Sequence, residues 1–353
     1  MIAETIREQM AKTIQYVQPV PYGSATGLTA EVYEQMQADF MPAPLVALHS
    51  PVPEVMAGVW SMLRETLLAG PARARKEAVA AAVSQLNECP YCVEAHTVML
   101  HATSDHEVAG ALLRGDYDSI RDPELYALVQ WVLTNRTPNM NEVLSPPFSY
   151  SDAPEMIGTA IAFHYINRMV NVFLGETLLP VPPALKGLTH RLYAATAGQK
   201  VVRYLPQGES LKFVPQAKLP EDFFWAAANP AVAGAFAGLA QVVEEVGKQV
   251  LPEQVRSLVS KRIQAWHGEE MGISRRWVEE SVAALDDEHR PAARLALLTA
   301  LASYQVDAST IEDFQYQYLD DASLIAVTAW ASFTAARHVS IWLAEPFVIA
   351  EGV

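Results

Sequence analysis

Cysteine is almost missing from this chain of 353 residues: only Cys89 and Cys92 occur. Two thiols cannot build the disulfide framework that holds small secreted domains together. Basic residues are scarce too, with 25 Lys and Arg against 40 Asp and Glu and a formal net charge of -15. The acids are dispersed along the chain, and an acidic surface of this kind disfavours a nucleic-acid partner, whose phosphates need clustered Lys and Arg. Long apolar runs are also lacking. The longest uncharged stretch, 223–243, is rich in Ala and Gly and carries Asn229-Pro230 in its first half. It would insert poorly into a bilayer and reads as a packed soluble helix with a Pro start, so no membrane partner is expected. The opening MIAETIREQMAKTI is charged throughout and has no apolar core, so no signal peptide is expected and a cytoplasmic location follows.

What is present is 51% hydrophobic residue content, enough for one large core or two medium ones. Convincing strand alternation is hard to find, and apolar residues recur at helical spacing over 54–69, 73–87, 124–134, 154–178, 252–267, 290–303 and 324–343. The fold class is therefore all-α. Ala69-Gly70-Pro71, Arg136-Thr137-Pro138 and the Pro-rich 179–183 punctuate the helices. The expected organisation is an N-terminal arm (1–40), a helical domain (41–200), a polar linker (201–219) and a second helical unit (220–353).

Weak internal similarity supports a duplication. Residues 50–63 resemble 228–241, and "NRMVNVFLG" (167–175) resembles "ARHVSIWLA" (336–344). About 179 residues on from Glu88–His96 lies 267–275, with Gly268 and Met271 in place of the cysteines. In this register Arg256 replaces Glu77 and Arg275 replaces His96, so the second copy is degenerate and one thiol site per chain is expected.

The stretch "NECPYCVEAHTVML" (87–100) carries both cysteines. It allows a redox dithiol, half of a metal site, or two small apolar residues at a helix start. Pro90 suits the first position of a helix, which puts Cys89 at the N-cap and Cys92 in the first turn. Unpaired N–H groups and the positive dipole end there favour a thiolate. His96 falls one turn beyond Cys92 on the same face and can exchange a proton with it. Glu77, on the preceding helix among Ala78, Ala80, Ala81 and Ala82, needs a partner in so packed a place, and His96 is the economical one. A zinc site would have to recruit His101 or His106 beside Cys89, Cys92 and His96, and the second ligand pair of a usual structural site is missing.

Glu77, eleven residues, Cys89-Pro90-Tyr91-Cys92, three residues and His96 together resemble the signature of the AhpD-like alkylhydroperoxidases, within the carboxymuconolactone decarboxylase superfamily. The resemblance is strongest over 41–178 and fainter over 220–345. It implies an all-α fold, a homo-oligomer, and a dithiol that reduces hydroperoxides. No bound cofactor or metal is implied: the cysteine pair is the redox group, restored by an external thiol or lipoyl-type donor. By position, Cys92 would attack, Cys89 would resolve, His96 would be the base and Glu77 the relay behind it. The chain departs from the pattern in being about twice the length of a typical member. The alternative is a non-redox relative, a scaffold or lactone-acting protein that keeps the fold.

Tyr91 inside the motif is a candidate substrate contact, as are His164 and Arg168, which share a helical face with Asn167 in "FHYINR". Wall packing for Tyr91, and helix-end satisfaction at an interface for His164 and Arg168, are the plainer alternatives. Trp60 and Trp131 are expected in the core, His49 in a turn near a helix start, and His267 packed or solvated.

Overall fold

The computed structural model describes residues 13–103, 106–134, 146–178, 198 and 200–351. The expected punctuation at 136–138 and 179–183 lies outside these. Among the described residues the regular elements are helical and no strand occurs. The first half contains α1 (Gly27–Asp39), α2 (Pro44–Ala47), α3 (Pro53–Leu63), α4 (Arg73–Leu86), α5 (Pro90–Ala102), α6 (His106–Arg114), α7 (Pro123–Thr134) and α8 (Ala153–Phe173). The second contains α9 (Pro230–Val250), α10 (Glu253–Gln264), α11 (Arg276–Val282), α12 (Arg290–Leu301), α13 (Ala308–Gln315) and α14 (Asp321–Glu351). None of the described helices is long and apolar enough to cross a membrane.

Helix α8 is the axis of the molecule. Each of its residues except Asn171 is buried, including the polar Glu155, His164, Asn167 and Arg168. Helix α14 lies along it, with the Tyr165 and Phe333 rings edge to face at 6.2 Å. Helix α4 packs on another flank, where Asn167 donates to the Ser84 hydroxyl at 3.0 Å. The uncharged run at 223–243 resolves into a 3-10 turn (Glu221–Ala226) and the start of α9, with Pro230 in its first turn. The Asn229 side chain caps α9 by accepting from the Ala231 and Val232 amides at 3.0 and 3.2 Å. Helix α9 crosses α3 closely because Gly58 has no side chain: a Cβ there would meet Leu239 Cδ1 at 2.7 Å.

The helix expected over 54–69 changes pitch near its end, where Arg64–Leu68 form a π-turn. Arg64 and Glu65 are both fully buried there. Arg64 donates to Asp39 at 2.7 Å, to Glu65 at 2.8 Å and to Glu209 at 2.8 Å. Glu65 in turn accepts from the Gly208 amide at 2.6 Å and the Ser210 hydroxyl at 2.6 Å. The polar composition of 201–219, read from sequence as linker character, thus includes groups that satisfy this buried ion network. The described part of the N-terminal forty residues holds α1, with Val32, Tyr33 and Met36 buried. In the second half, 267–275 forms no helix: α10 ends at Gln264 and α11 begins at Arg276. Arg275, at the register position of His96, pairs with Asp307 at 2.9 Å.

Candidate active site

Helix α4 ends at Leu86 with Asn87 as its C-cap, and Glu88 then takes a left-handed φ of 52°. The Cys89 amide donates back to the Ser84 carbonyl at 3.0 Å, which closes a tight reversal. Pro90 starts α5 at once, and Cys89 occupies its N-cap as the sequence predicts. The two sulfurs lie 2.7 Å apart as free thiols, each about 1% exposed. A cleft of about 860 Å³ opens beside them, with Ser84, Cys89, Tyr91 and Val170 in its wall. Cys92 is not part of that wall. Tyr304 is, so the second half contributes to the cleft. The wall also holds Glu88, Glu94 and Glu176, and no Lys, Arg or His among the described residues.

Glu77 and His96 meet as expected, the Nδ1 of His96 lying 2.5 Å from Oε2 of the carboxylate. The imidazole and the Phe163 ring of α8 lie nearly perpendicular to each other at a centroid distance of 4.4 Å. The other carboxylate oxygen, Oε1, accepts from Arg73 Nε at 2.7 Å. Glu77 is fully buried, and burial alone would push its carboxyl up. Arg73 and His96 more than reverse this, leaving it below the usual carboxylate range.

The sulfur electrostatics differ from the expectation for a helix start. Burial, followed by the neighbouring Cys89, pushes the Cys92 thiol well up, outweighing the dipole end. The Asn167 side chain works the other way by hydrogen bonding to Cys92. Cys92 is therefore favoured as a thiol, and a base is needed to ionise it. Asn167 also accepts from Asn87 Nδ2 at 3.0 Å, and Asn171 donates to the Asn87 carbonyl at 3.1 Å. Sequence reasoning placed Asn167 only as a neighbour of His164 and Arg168. Arg73 could have been found from its i,i+4 spacing to Glu77; Asn87, Asn171 and Tyr304 offered no local signal.

Tyr91 lies on the cleft wall. His164 and Arg168 do not; they border a separate cavity of about 30 Å³ near Trp266 and Val339. His164 Nδ1 sits 3.1 Å from Asn87 Nδ2, while Arg168 donates to the carbonyls of Ala300 at 2.7 Å and His164 at 2.6 Å. His101 and His106 pair with each other at 2.9 Å. Among the described residues no three His, Cys, Asp or Glu side chains are grouped to hold a metal ion. Trp60 and Trp131 are buried in the core, His49 is buried against Tyr165, and His267 is exposed.

A buried Cys-x-x-Cys at a helix start beside a cleft, backed by a carboxylate–imidazole couple from the preceding helix, defines an all-α dithiol protein. Over 335 residues the chain is 38% identical to an alkyl hydroperoxide reductase of Mycobacterium tuberculosis, a match covering 94% of this chain and 95% of that relative. The chain belongs to the AhpD-like alkylhydroperoxidase family. Its double length is therefore shared by that relative. No family model matches the chain.

Proposed function

We propose that the protein is a thiol-dependent peroxidase that reduces hydroperoxides through Cys89 and Cys92. The observation that carries this reading is the pair of buried free thiols 2.7 Å apart, one of them on a cleft wall. In the first step His96, directly or through a water, takes the Cys92 proton. The thiolate attacks one peroxide oxygen, the O–O bond breaks, and Cys92 becomes a sulfenic acid. The departing alkoxide takes the proton from His96 and leaves as an alcohol. Cys89 then attacks the sulfenic sulfur: an S–S bond forms, the S–O bond breaks and water departs. An external dithiol, of small-thiol or lipoyl type, restores both thiols by two exchange steps and is itself oxidised.

Glu77 keeps Nδ1 of His96 engaged, so that Nε2 is the atom that accepts the proton. The cysteine pair is the redox group and no bound cofactor is required. The same reading makes the chain a cytoplasmic homo-oligomer of duplicated helical units (41–200 and 220–353), with one redox site per chain. The test is steady-state consumption of an organic hydroperoxide with dihydrolipoamide as donor. Wild type turns over and Cys92→Ser does not; equal rates in the two, or none in wild type, would remove the proposal.

A further inference from the structure

Helix α4 opens on Arg73-Ala74-Arg75-Lys76, three cations at the helix end where the macrodipole favours anions, with no acid in the first turn. Each cation has a carboxylate. Arg75 reaches Glu124 of α7 at 3.1 Å, and Lys76 reaches Glu155 of α8 at 3.1 Å. Those two pairs tie α4 to its neighbours. The third does not, because Arg73 pairs with Glu77 one turn along the same helix. An exposed pair at this spacing contributes little. This one is enclosed: the Glu77 side chain is fully buried and that of Arg73 is 12% exposed. The guanidinium also sits over the Phe40 ring, 5.7 Å from its centroid. The two carboxylate oxygens are thus divided, Oε1 to Arg73 and Oε2 to His96.

We propose that Arg73 is a positioning residue of the redox site, holding the Glu77 carboxylate in the orientation that engages Nδ1 of His96. The role rests on the reading of Glu77 and His96 as the base couple. With the guanidinium gone, a fully buried carboxylate is left with His96 as its polar partner. The couple then takes up its next proton at higher pH, and His96 is occupied when a base is needed. Among the described residues, the charged groups acting on the couple are Arg73 and Lys76 of its own helix. Helix α8 contributes Glu155, which Lys76 engages, and the apolar Phe163 directly against the imidazole.

The experiment is an NMR titration of the full chain labelled with [13C]histidine, the His96 ring being assigned with His96→Gln. In Arg73→Met and Arg73→Gln proton uptake by the Glu77–His96 couple, read at the His96 ring, is expected to move to higher pH by about one unit, the effect of removing an adjacent charge from Glu77. Arg73→Lys keeps the charge and is expected to stay near wild type. A structural role alone would lower the melting temperature without moving the midpoint, and an unmoved midpoint in a folded neutral variant overturns the proposal. Failure of both neutral variants to fold, with Arg73→Lys folded, also overturns it by making Arg73 a folding residue. Absence of hydroperoxide turnover in wild type would sink the peroxidase reading while leaving the titration result standing.

Discussion

Glu77→Gln keeps the volume of the side chain and removes its charge. In the native protein the carboxylate, fully buried, accepts from Arg73 at 2.7 Å and meets His96 at 2.5 Å. The amide oxygen of Gln can accept from Arg73, but its NH2 then meets Nδ1 of His96 and drives the ring proton onto Nε2. Hydrogen bonds to charged groups contribute about 1.5–3 kcal/mol each, and stripping one partner from a buried ion pair costs about 3–5 kcal/mol. Because the Arg73 side chain keeps 12% exposure, the lower end applies. We expect a loss of about 3 kcal/mol at neutral pH, or roughly 4 °C in melting temperature for a chain of this length. The pH dependence has a definite sign. A carboxyl held below its ordinary value of 4.5 stabilises the fold fully above that value, and the contribution is lost as pH falls through the lowered native value. The gap between wild type and Glu77→Gln is therefore constant through the neutral range and closes in acid. Hydroperoxide consumption should fall about a hundredfold, the scale of a lost general base. Urea denaturation followed by circular dichroism across pH reads the stability. Identical midpoints at pH 7, or a gap that survives unchanged into strong acid, would refute the reasoning.

Three other outcomes follow from the same geometry. His49 is fully buried against the Tyr165 hydroxyl at 2.9 Å, and burial lowers its pKa from 6.5 to about 3. Between those values the unfolded chain takes a proton that the native one does not, so stability should fall by about 1.4 kcal/mol for each unit that the pH is lowered. His49→Gln should flatten that slope in denaturation experiments. Asn167→Ala removes the hydrogen bond that favours Cys92 ionisation, and iodoacetamide alkylation of Cys92 at pH 8 should slow about tenfold. Among the described residues the cleft wall carries Glu88, Glu94 and Glu176 and no cationic side chain. Dicationic cystamine should therefore oxidise the reduced protein about tenfold faster than dianionic dithiodipropionate, after normalisation to a free dithiol, and high salt should erase the difference. Equal rates at low salt would count against an electrostatic role for those carboxylates.

Much of the site was legible because its chemistry is local. Pro90 marks the start of α5, and Glu77 meets His96 because the turn at 87–89 folds α5 back on α4. Helix α8 was legible from apolar residues recurring at helical spacing over 154–178; that it is buried nearly all round, His164, Asn167 and Arg168 included, was not. What the sequence hid depends on long-range packing. Helix α1 lies behind Pro, Gly and Tyr punctuation that reads as an arm, yet it buries Val32, Tyr33 and Met36. The segment 201–219 looks like a linker because Glu209 and Ser210 are polar, but both are partners of the π-turn. At Cys92 burial overrides the dipole, a balance that position in a helix alone cannot supply. Tyr304 reaches the cleft wall only through the packing of the second half on the first.

The central claim is that Cys92 and Cys89 are oxidised together by hydroperoxide, and a free-thiol count tests it most directly. Reduced wild type holds two thiols per chain. One equivalent of an organic hydroperoxide should remove both with release of one alcohol, while Cys92→Ser keeps its remaining thiol under the same treatment. Retention of both thiols in wild type, or loss of the Cys89 thiol in Cys92→Ser at the wild-type rate, would contradict the account.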